Sequence, residues 1–203
     1  MKLNPKKIRP ITSFKSPKFS GILTPFCNED LPELSQLYGD SETMKYLGGS
    51  LTLSQVETVL GEYIQQSRRF PFGPNAIRDA QQKQLMGRTG LRVSNSEQII
   101  EVYPANGSNI TTCFCLKNKV QLGYVIHPKF RHQGIATQAA KAVLDFGFRS
   151  LKINEICAFM RAENYGSVVV ARDKLNMTLL GNLVFNDDLW FYYSLTREAY
   201  LKR

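Results

Sequence analysis

The chain has 203 residues, with 26 lysines and arginines against 17 aspartates and glutamates, and a formal net charge of +9 at pH 7. This length suits one domain with a sizeable core, and no apolar run approaches the roughly 20 residues that a transmembrane helix needs. The four cysteines and two histidines lack the spacing of a zinc site. The composition therefore predicts no metal, no membrane partner and reduced thiols in a cytoplasmic protein.

The first 18 residues are basic and interrupted by prolines, and they lack the apolar core of a secretory signal. They predict a flexible, solvated arm over residues 1–18, followed by a single folded domain over residues 19–203. A transit-like peptide is the alternative for the arm, because it is rich in lysine and serine and has no acidic residue.

Two helices follow a first predicted strand, FSGILTPF. Asn28 or Asp30 can cap the first helix, which ends at Gly39. The second helix lies within LTLSQVETVLGEYIQQSRRF, where Ser54 is placed to cap it and Glu57, three residues later, completes a capping box. Both segments put apolar residues on one face, which is typical of amphipathic helices.

Short β-rich segments then follow, separated by polar turns. After them the pattern predicts an alanine-rich helix from Ile135 to Leu151, a strand, a helix that ends near Asn176, and two closing strands. Antiparallel strands that precede a β-α-β-α unit are typical of a mixed α/β (α+β) domain. In the last strand Tyr192 and Tyr193 are neighbours, so one of them is expected to face the core.

The stretch GYVIHPKFRHQGIATQAA joins a buried strand to the alanine-rich helix, which begins near Ile135. The first N–H groups of a helix have no internal partners and stand at its positive dipole end. Gly134 lets the backbone approach a ligand closely, Ala136 keeps the next position narrow, and Arg131 and His132 add positive charge. These features predict a pyrophosphate-sized anion site, although the dinucleotide and P-loop glycine patterns are both missing from the sequence.

What remains is R-x-x-G-x-A, which resembles the Q/R-x-x-G-x-G/A motif of the GNAT family of N-acetyltransferases. The segments LMGRTGL, RAENYGSVVVARDKLNM and WFYYSLTREAY are similar to the branch of this family that acetylates ribosomal-protein N-termini, and the likeness covers roughly residues 19 to 200. The resemblance implies a splayed mixed β-sheet flanked by helices, with acetyl-CoA as co-substrate.

The same resemblance implies a set of cofactor-binding positions. The backbone from residue 131 to 137 matches the pyrophosphate-binding turn, two strand residues match the edge that pairs with the pantetheine arm, and a polar pair matches positions near the thiol. The implied cofactor-binding residues are Val125, Ile126, Arg131, His132, Gln133, Gly134, Ile135, Ala136, Thr137, Asn164 and Ser167. In this branch the serine helps the thiolate to leave, so Ser167 is the implied catalytic residue, with a helix cap as the structural alternative.

Acetyl transfer also needs a group that takes the proton of the amine. Glu101, on the predicted strand QIIEVYP, is the candidate base, and a solvent-facing strand glutamate is the alternative. Asp187 and Asp188 in the last hairpin are rivals whose presence turn chemistry also explains. The N–H of a strand residue such as Ile126 can stabilise the oxyanion. The tyrosine that acts as general acid in other branches would fall near Ala171, so no residue matches it here.

The sequence also departs from the family pattern. Gln121 and Gln138 stand where many relatives have glutamate. Between Ser167 and Lys174 the chain is one residue longer than the usual pattern, which places the helix register in question. The hairpin around residues 103–119 is longer than usual, which can alter the acceptor side.

Together the motif and the resemblance predict an enzyme, an acetyl-CoA-dependent N-acetyltransferase that transfers the acetyl group directly to a primary amine. A protein N-terminal α-amine is one acceptor, and a small amine such as an antibiotic or a polyamine is the alternative. The non-catalytic alternative is a regulatory module that binds CoA without turnover. A nucleic-acid binder is a third class, but no recognised module supports nucleic acid as a direct partner. We expect a monomer or a homodimer.

Overall fold

The computed structural model describes residues 13–16, 19–81, 83–94, 99–104, 112–115, 118–185 and 187–203. The chain divides into two compact units. The first unit comprises Met1–Arg92 and Gly123–Leu151, and the second comprises Val93–Leu122 and Lys152–Arg203. Each unit contains both strands and helices, so the predicted mixed α/β fold is confirmed. The prediction of a single domain over residues 19–203 stays a prediction.

The described chain contains ten strands and six α-helices. The strands are β1 (Ser13–Ser16), β2 (Phe19–Pro25), β3 (Pro74–Asp79), β4 (Leu85–Val93), β5 (Ile99–Pro104), β6 (Thr112–Cys115), β7 (Val120–Ile126), β8 (Glu155–Arg161), β9 (Thr178–Phe185) and β10 (Asp188–Thr196). The helices are α1 (Leu31–Gly39), α2 (Ser41–Met44), α3 (Leu53–Arg69), α4 (Ile135–Asp145), α5 (Tyr165–Val169) and α6 (Arg197–Leu201). None of these helices is both long and apolar enough to cross a membrane.

Strand β7 is divided between the two units after residue 122. In the first unit the strand order is β1-β2-β3-β4-β7, and β1 to β4 pair antiparallel. Apolar residues of α1, α3, β3 and β4 form its hydrophobic core, which also contains Val125 of β7. Helix α4 packs on β1 and β2. Ser13–Ser16, which the sequence placed in the arm, form β1, and the side chain of Phe14 is buried.

The start of α3 differs from the prediction. Thr52 is the N-cap, its side chain accepts a hydrogen bond from the N–H of Gln55, and the Gln55 side chain accepts from the N–H of Thr52. The predicted capping box at Ser54 and Glu57 is therefore wrong. A second capping-box pattern, T-x-x-Q, stands two residues earlier than the predicted one. Its first residue, Thr52, has the extended backbone that an N-cap requires.

The sheet of the second unit has the strand order β7-β8-β10-β9-β5-β6. Strands β7 and β8 run parallel and pair at Gln121 and Cys157, whereas β8, β10 and β9 pair antiparallel. Tyr192 and Tyr193 are both buried, at 1% and 2% exposed, so the expectation that only one of them faces inward is wrong. Tyr192 stacks on Phe159, its partner in β8, whereas Tyr193 contacts Phe191. The two tyrosines therefore lie on opposite faces of the strand, as neighbours do, and both faces are covered.

The helix after β8 contains the extra residue that the sequence indicated. Helix α5 ends at Val169 and continues as a π-helical turn over Val170–Lys174. A π turn accommodates one more residue than an α turn, so it absorbs the additional residue between Ser167 and Lys174 without breaking the helix. Asn176, at φ 47°, then ends the segment in the left-handed region, as predicted.

Candidate functional site

The connection between β7 and α4 is a short, tightly turned loop in the first unit. The N–H of His127 donates to the carbonyl of Met86 at 2.9 Å, which ties the end of β7 to β4. A 3-10 turn follows at Pro128–Phe130. His132 and Gly134 then take positive φ values of 59° and 76°. Left-handed residues of this kind turn successive N–H groups to one side, which is the geometry of an anion-binding concavity.

Helix α4 begins without a side-chain cap. Gly134 is its N-cap, and its carbonyl accepts the first intrahelical bond from the N–H of Gln138. Within the part of the chain that the structure describes, the N–H groups of Ile135, Ala136 and Thr137 have no hydrogen-bond acceptor. Nothing lies within 4 Å of the place where a Cβ on Gly134 would stand. The positive end of α4 is therefore open and can accept an anion.

Arg131 supports the shape of this loop. Its Nε donates to the carbonyl of Ile126 at 3.1 Å, and its Nη1 lies 2.7 Å from Oε1 of Glu42, in α2. The guanidinium charge is thus paired with a carboxylate rather than presented to the open side of the loop. This contact gives the arginine of the R-x-x-G-x-A motif a positioning role, with the backbone N–H groups left to bind the anion.

The other predicted residues of the loop have looser surroundings. His132 is exposed, and Gln133 Nε2 lies 3.4 Å from the carbonyl of Lys129. Val125 and Ile126 are buried at the end of β7. The first unit therefore contains all the predicted cofactor-binding residues that precede Asn164: Val125, Ile126, Arg131, His132, Gln133, Gly134, Ile135, Ala136 and Thr137.

The predicted polar pair lies in the second unit, at the start of α5. The side-chain oxygen of Asn164 accepts a hydrogen bond from the N–H of Ser167 at 3.2 Å, and Asn164 is the N-cap of the helix. Asn164 therefore caps α5, and the alternative that Ser167 is the cap is wrong. The two residues are adjacent in space, as the N-x-x-S spacing predicted.

The three carboxylates proposed as the general base have different surroundings. Glu101 lies in β5 opposite Cys113, and its side chain is outside the described part of the structure. Asp188 forms an ion pair with Arg161 at 2.6 Å. Asp187 has a φ of 62° in the β9–β10 turn, as expected for a turn residue.

Sequence reasoning missed a carboxylate in the second unit that is held by hydrogen bonds. Glu155 Oε1 accepts from the hydroxyl of Ser194 at 2.6 Å, and Oε2 lies 3.0 Å from the Lys119 ammonium. Burial opposes ionisation of Glu155, but the Ser194 and Lys119 contacts outweigh it and lower its pKa. Burial first and the Glu155 charge second raise the pKa of Cys157 to about 12, so this thiol stays protonated.

Sequence reasoning also missed a cluster in the first unit that consists of Tyr38, Tyr63 and Arg88, named here the Arg88 cluster. Arg88 Nε donates to Tyr38 Oη at 2.6 Å, and the two phenol oxygens are 2.7 Å apart. The signal available in the sequence was a single charged residue, the arginine, in the mostly apolar strand LMGRTGL. Among the described residues no group of three histidine, cysteine, aspartate or glutamate side chains is arranged to hold a metal.

The family comparison accords with this geometry. The model of the acetyltransferase (GNAT) domain matches residues 22–174. The chain therefore belongs to the GNAT acetyltransferase family, and this prediction from the R-x-x-G-x-A motif is confirmed. The narrower assignment to the ribosomal-protein branch stays a prediction.

Individual relatives are more distant. The uncharacterized N-acetyltransferase YnaD of Bacillus subtilis is 28% identical over 86 residues, which are 39% of this chain and 50% of that protein; the match thus spans about half the length of that relative. A GNAT acetyltransferase from Bacillus anthracis superposes with a TM-score of 0.69 at 20% identity, covering 92% of this chain and 99% of its own. Spermidine N-acetyltransferase from Vibrio cholerae, in complex with CoA and spermine, has a TM-score of 0.66 at 17% identity and coverages of 89% and 98%. These structural likenesses show the fold.

Proposed function

We propose that the protein is an acetyl-CoA-dependent N-acetyltransferase that transfers the acetyl group directly to a primary amine. The observation that carries this proposal is the uncapped start of α4, where the N–H groups of residues 135–137 have no acceptor among the described residues. A pyrophosphate would supply those acceptors. Family membership and the CoA complex of the Vibrio cholerae relative support the same coenzyme.

Each residue is assigned a role in acetyl transfer from its position in the fold. The 131–137 backbone would hold the pyrophosphate, and Val125 and Ile126 would align the pantetheine arm along β7. The amine nitrogen attacks the thioester carbonyl, the N–H of Ile126 stabilises the oxyanion, and the carbon–sulfur bond then breaks. The amine loses its proton to a base, for which Glu101 remains our candidate, and the departing thiolate takes a proton delivered by Ser167.

A protein N-terminal α-amine is our proposed acceptor group. Its ordinary pKa of about 7.7–8.0 leaves roughly a tenth of it unprotonated at pH 7, whereas a lysine amine at about 10.4 is almost entirely protonated and needs a stronger base. An α-amine therefore needs less proton abstraction from whichever base serves it.

Thermal unfolding with acetyl-CoA tests the coenzyme assignment, with NAD and ATP as controls. Acetyl-CoA at about 100 times its Kd should stabilise the fold by about 2.7 kcal/mol, which corresponds to a rise of several degrees in Tm at about 2–4 °C per kcal/mol. Gly134→Val should abolish this rise, because a β-branched residue resists the φ of 76° found there. Gly61→Val is the matched control, since Gly61 lies in α3 with nothing within 4 Å of the place where a Cβ would stand and should keep the full rise. An equal response to ATP, or none to acetyl-CoA, would refute the assignment.

A second candidate function is a CoA-binding regulatory module without turnover. The ion pairing of Glu155 and Asp188 favours it, because both carboxylates are already held by basic side chains of the protein. Consumption of the acetyl-CoA thioester in a mixture of primary amines separates the two functions. Turnover that depends on amine supports the enzyme, whereas a Tm rise without turnover supports the regulatory module.

A further inference from the structure

The Arg88 cluster contains a positive charge that no carboxylate of the described residues pairs with. Arg88 lies in β4, paired with Ala76 of β3, and its side chain is partly buried beside α1 and α3. Among the residues that the structure describes, its one hydrogen bond is the 2.6 Å contact from Nε to Tyr38 Oη. No carboxylate of the described residues lies within ion-pair distance of it. The N–H donors on Nη1 and Nη2 are therefore without an acceptor from the described protein.

The two phenols cannot supply the missing charge. Burial raises the pKa of Tyr38 well above its usual range, although Arg88 opposes the shift, so Tyr38 stays a neutral phenol at neutral pH. Tyr38 and Tyr63 are buried, at 2% and 7% exposed, and they bond to each other. A guanidinium withdrawn from water without a counter-charge is destabilising unless something outside the fold completes it.

The guanidinium is also held in one orientation. The Nε bond fixes its plane, and its Cζ stands 5.7 Å from the centroid of the Tyr63 ring, in cation–π range. A Cβ on Gly123 of β7 would lie 3.0 Å from Nη1. Because glycine has no Cβ, this position leaves room for the guanidinium. The two Nη groups thus form a fixed fork of donors, which matches the two oxygens of a carboxylate.

We infer that Arg88 binds a carboxylate carried by the acceptor amine, an inference that rests on the proposed function. Gly123 precedes Ile126 by three residues, which is about 10 Å along a strand. The loop that would hold the pyrophosphate follows Ile126, so the fork lies toward the other end of β7 from the phosphates. An anion bound there belongs to the acceptor rather than to the coenzyme. The same positive charge disfavours polycationic acceptors such as polyamines.

Matched pairs of amines test this specificity. We would measure kcat/KM for 4-aminobutyrate against 4-aminobutyramide, and for the peptide amides Ala-Asp and Ala-Asn, with saturating acetyl-CoA. The wild type should prefer the acidic member of at least one pair by roughly 10- to 100-fold. In Arg88→Gln this ratio should fall to within about threefold of unity, and Arg88→Lys, which keeps the charge but lacks the fork, should give an intermediate ratio. Arg78→Gln is the matched control and should keep the wild-type ratio.

A wild type without preference for either acidic probe, or a preference that survives in Arg88→Gln, overturns the inference. If no probe is acetylated, the Nε–H resonance of Arg88, assigned by its loss in Arg88→Gln, is followed by NMR while each probe is added to the CoA-bound protein. A shift caused by 4-aminobutyrate and absent with 4-aminobutyramide supports the site, and no shift with either overturns it. Failure of acetyl-CoA to raise Tm overturns the proposed function instead. In that case the NMR titration with the same probes, carried out on the free protein, still decides whether Arg88 binds a carboxylate.

Discussion

Two arginines of the first unit, Arg78 in β3 and Arg88 in β4, lie on paired strands but in opposite electrostatic surroundings. Arg78 contacts the carboxylates of Asp30 and Glu33, the latter at 2.7 Å, and donates to the carbonyl of Lys83 at 2.9 Å. Its side chain is 12% exposed. Arg88 has one phenol as its hydrogen-bond acceptor and a second phenol ring beside it.

This difference distinguishes an arginine that stabilises the fold from an arginine that is available to bind a ligand. Around Arg78 the charges balance within the protein, so removing the arginine leaves two carboxylates without their partner. Around Arg88 the described residues supply no negative charge, so removing the arginine relieves an imbalance. Breaking a buried ion pair is strongly destabilising, whereas replacing an uncompensated charge by an apolar side chain is often neutral.

The largest expected effect is the loss of stability in Arg78→Gln. Asp30, with a side chain only 8% exposed, would lose the cation that compensates its burial. We expect a loss of about 3 kcal/mol in the free energy of unfolding, or about 6–12 °C in Tm. Arg172→Gln is the matched control, because its pair with Asp173 is 59% and 43% exposed and is screened by solvent, so its loss should change Tm far less. Equal effects of the two substitutions in thermal unfolding would contradict the assignment of Arg78 as structural.

Acid should narrow the gap between wild type and Arg78→Gln. Burial opposes ionisation of Glu33, but its bonds with Arg78 and the N–H of Leu85 outweigh burial and lower its pKa. A lowered folded-state pKa contributes stability that is present above the ordinary value of about 4.3 and is lost as pH falls through the folded-state value. The Tm difference between the two proteins should therefore be full at pH 7 and shrink below about pH 4.

The corresponding comparison at Arg88 should not depend on acid. No carboxylate of the described residues pairs with Arg88, so the Tm difference between wild type and Arg88→Met should stay constant from pH 7 to pH 4. A difference that shrinks with acid would reveal a carboxylate partner and remove the contrast between the two arginines.

A smaller effect is expected when the phenol between Arg88 and Tyr63 is removed. Tyr38→Phe leaves Nε of Arg88 and the hydroxyl of Tyr63 without their common partner, which should destabilise the fold by about 1–3 kcal/mol. Tyr63→Phe keeps the bond between Arg88 and Tyr38, so it should be the milder change. A double-mutant cycle of Tyr38→Phe with Arg88→Met should give a coupling of at least about 0.5 kcal/mol. Strict additivity in chemical unfolding would show that the hydrogen bond contributes nothing.

The sequence predicted the parts of the fold that depend on short-range patterns. The helix after β7 and the order of the later strands follow from local spacing and were confirmed. The start of α3 was wrong because two capping patterns overlap within six residues, and only the backbone conformation at Thr52 decides between them. Strand β1 was missed because its one buried apolar residue, Phe14, carries no alternating pattern.

The site was predictable only as far as its motif extended. The 131–137 loop is continuous in the chain, so one short pattern indicated its position. The partner of Arg131 is Glu42, 89 residues away, and the partner of Arg88 is Tyr38, 50 residues away. Such pairs depend on how helices pack against strands, and a single sequence gives no spacing from which to infer them. Arg131 was accordingly expected to add free positive charge, whereas the structure shows it paired with Glu42.

The smallest expected effect on stability is that of Arg88→Met, and it gives the sharpest contrast with Arg78. Methionine is unbranched and can fill the space of the aliphatic part of the arginine. The substitution removes a charge that the described residues do not compensate, and it costs the one bond to Tyr38, which keeps its partner Tyr63. These opposing contributions should leave the free energy of unfolding within about 1 kcal/mol of wild type. A loss as large as that of Arg78→Gln in the same chemical unfolding experiment would mean that Arg88 supports the fold, and the carboxylate site would then have to be argued from acceptor preference alone.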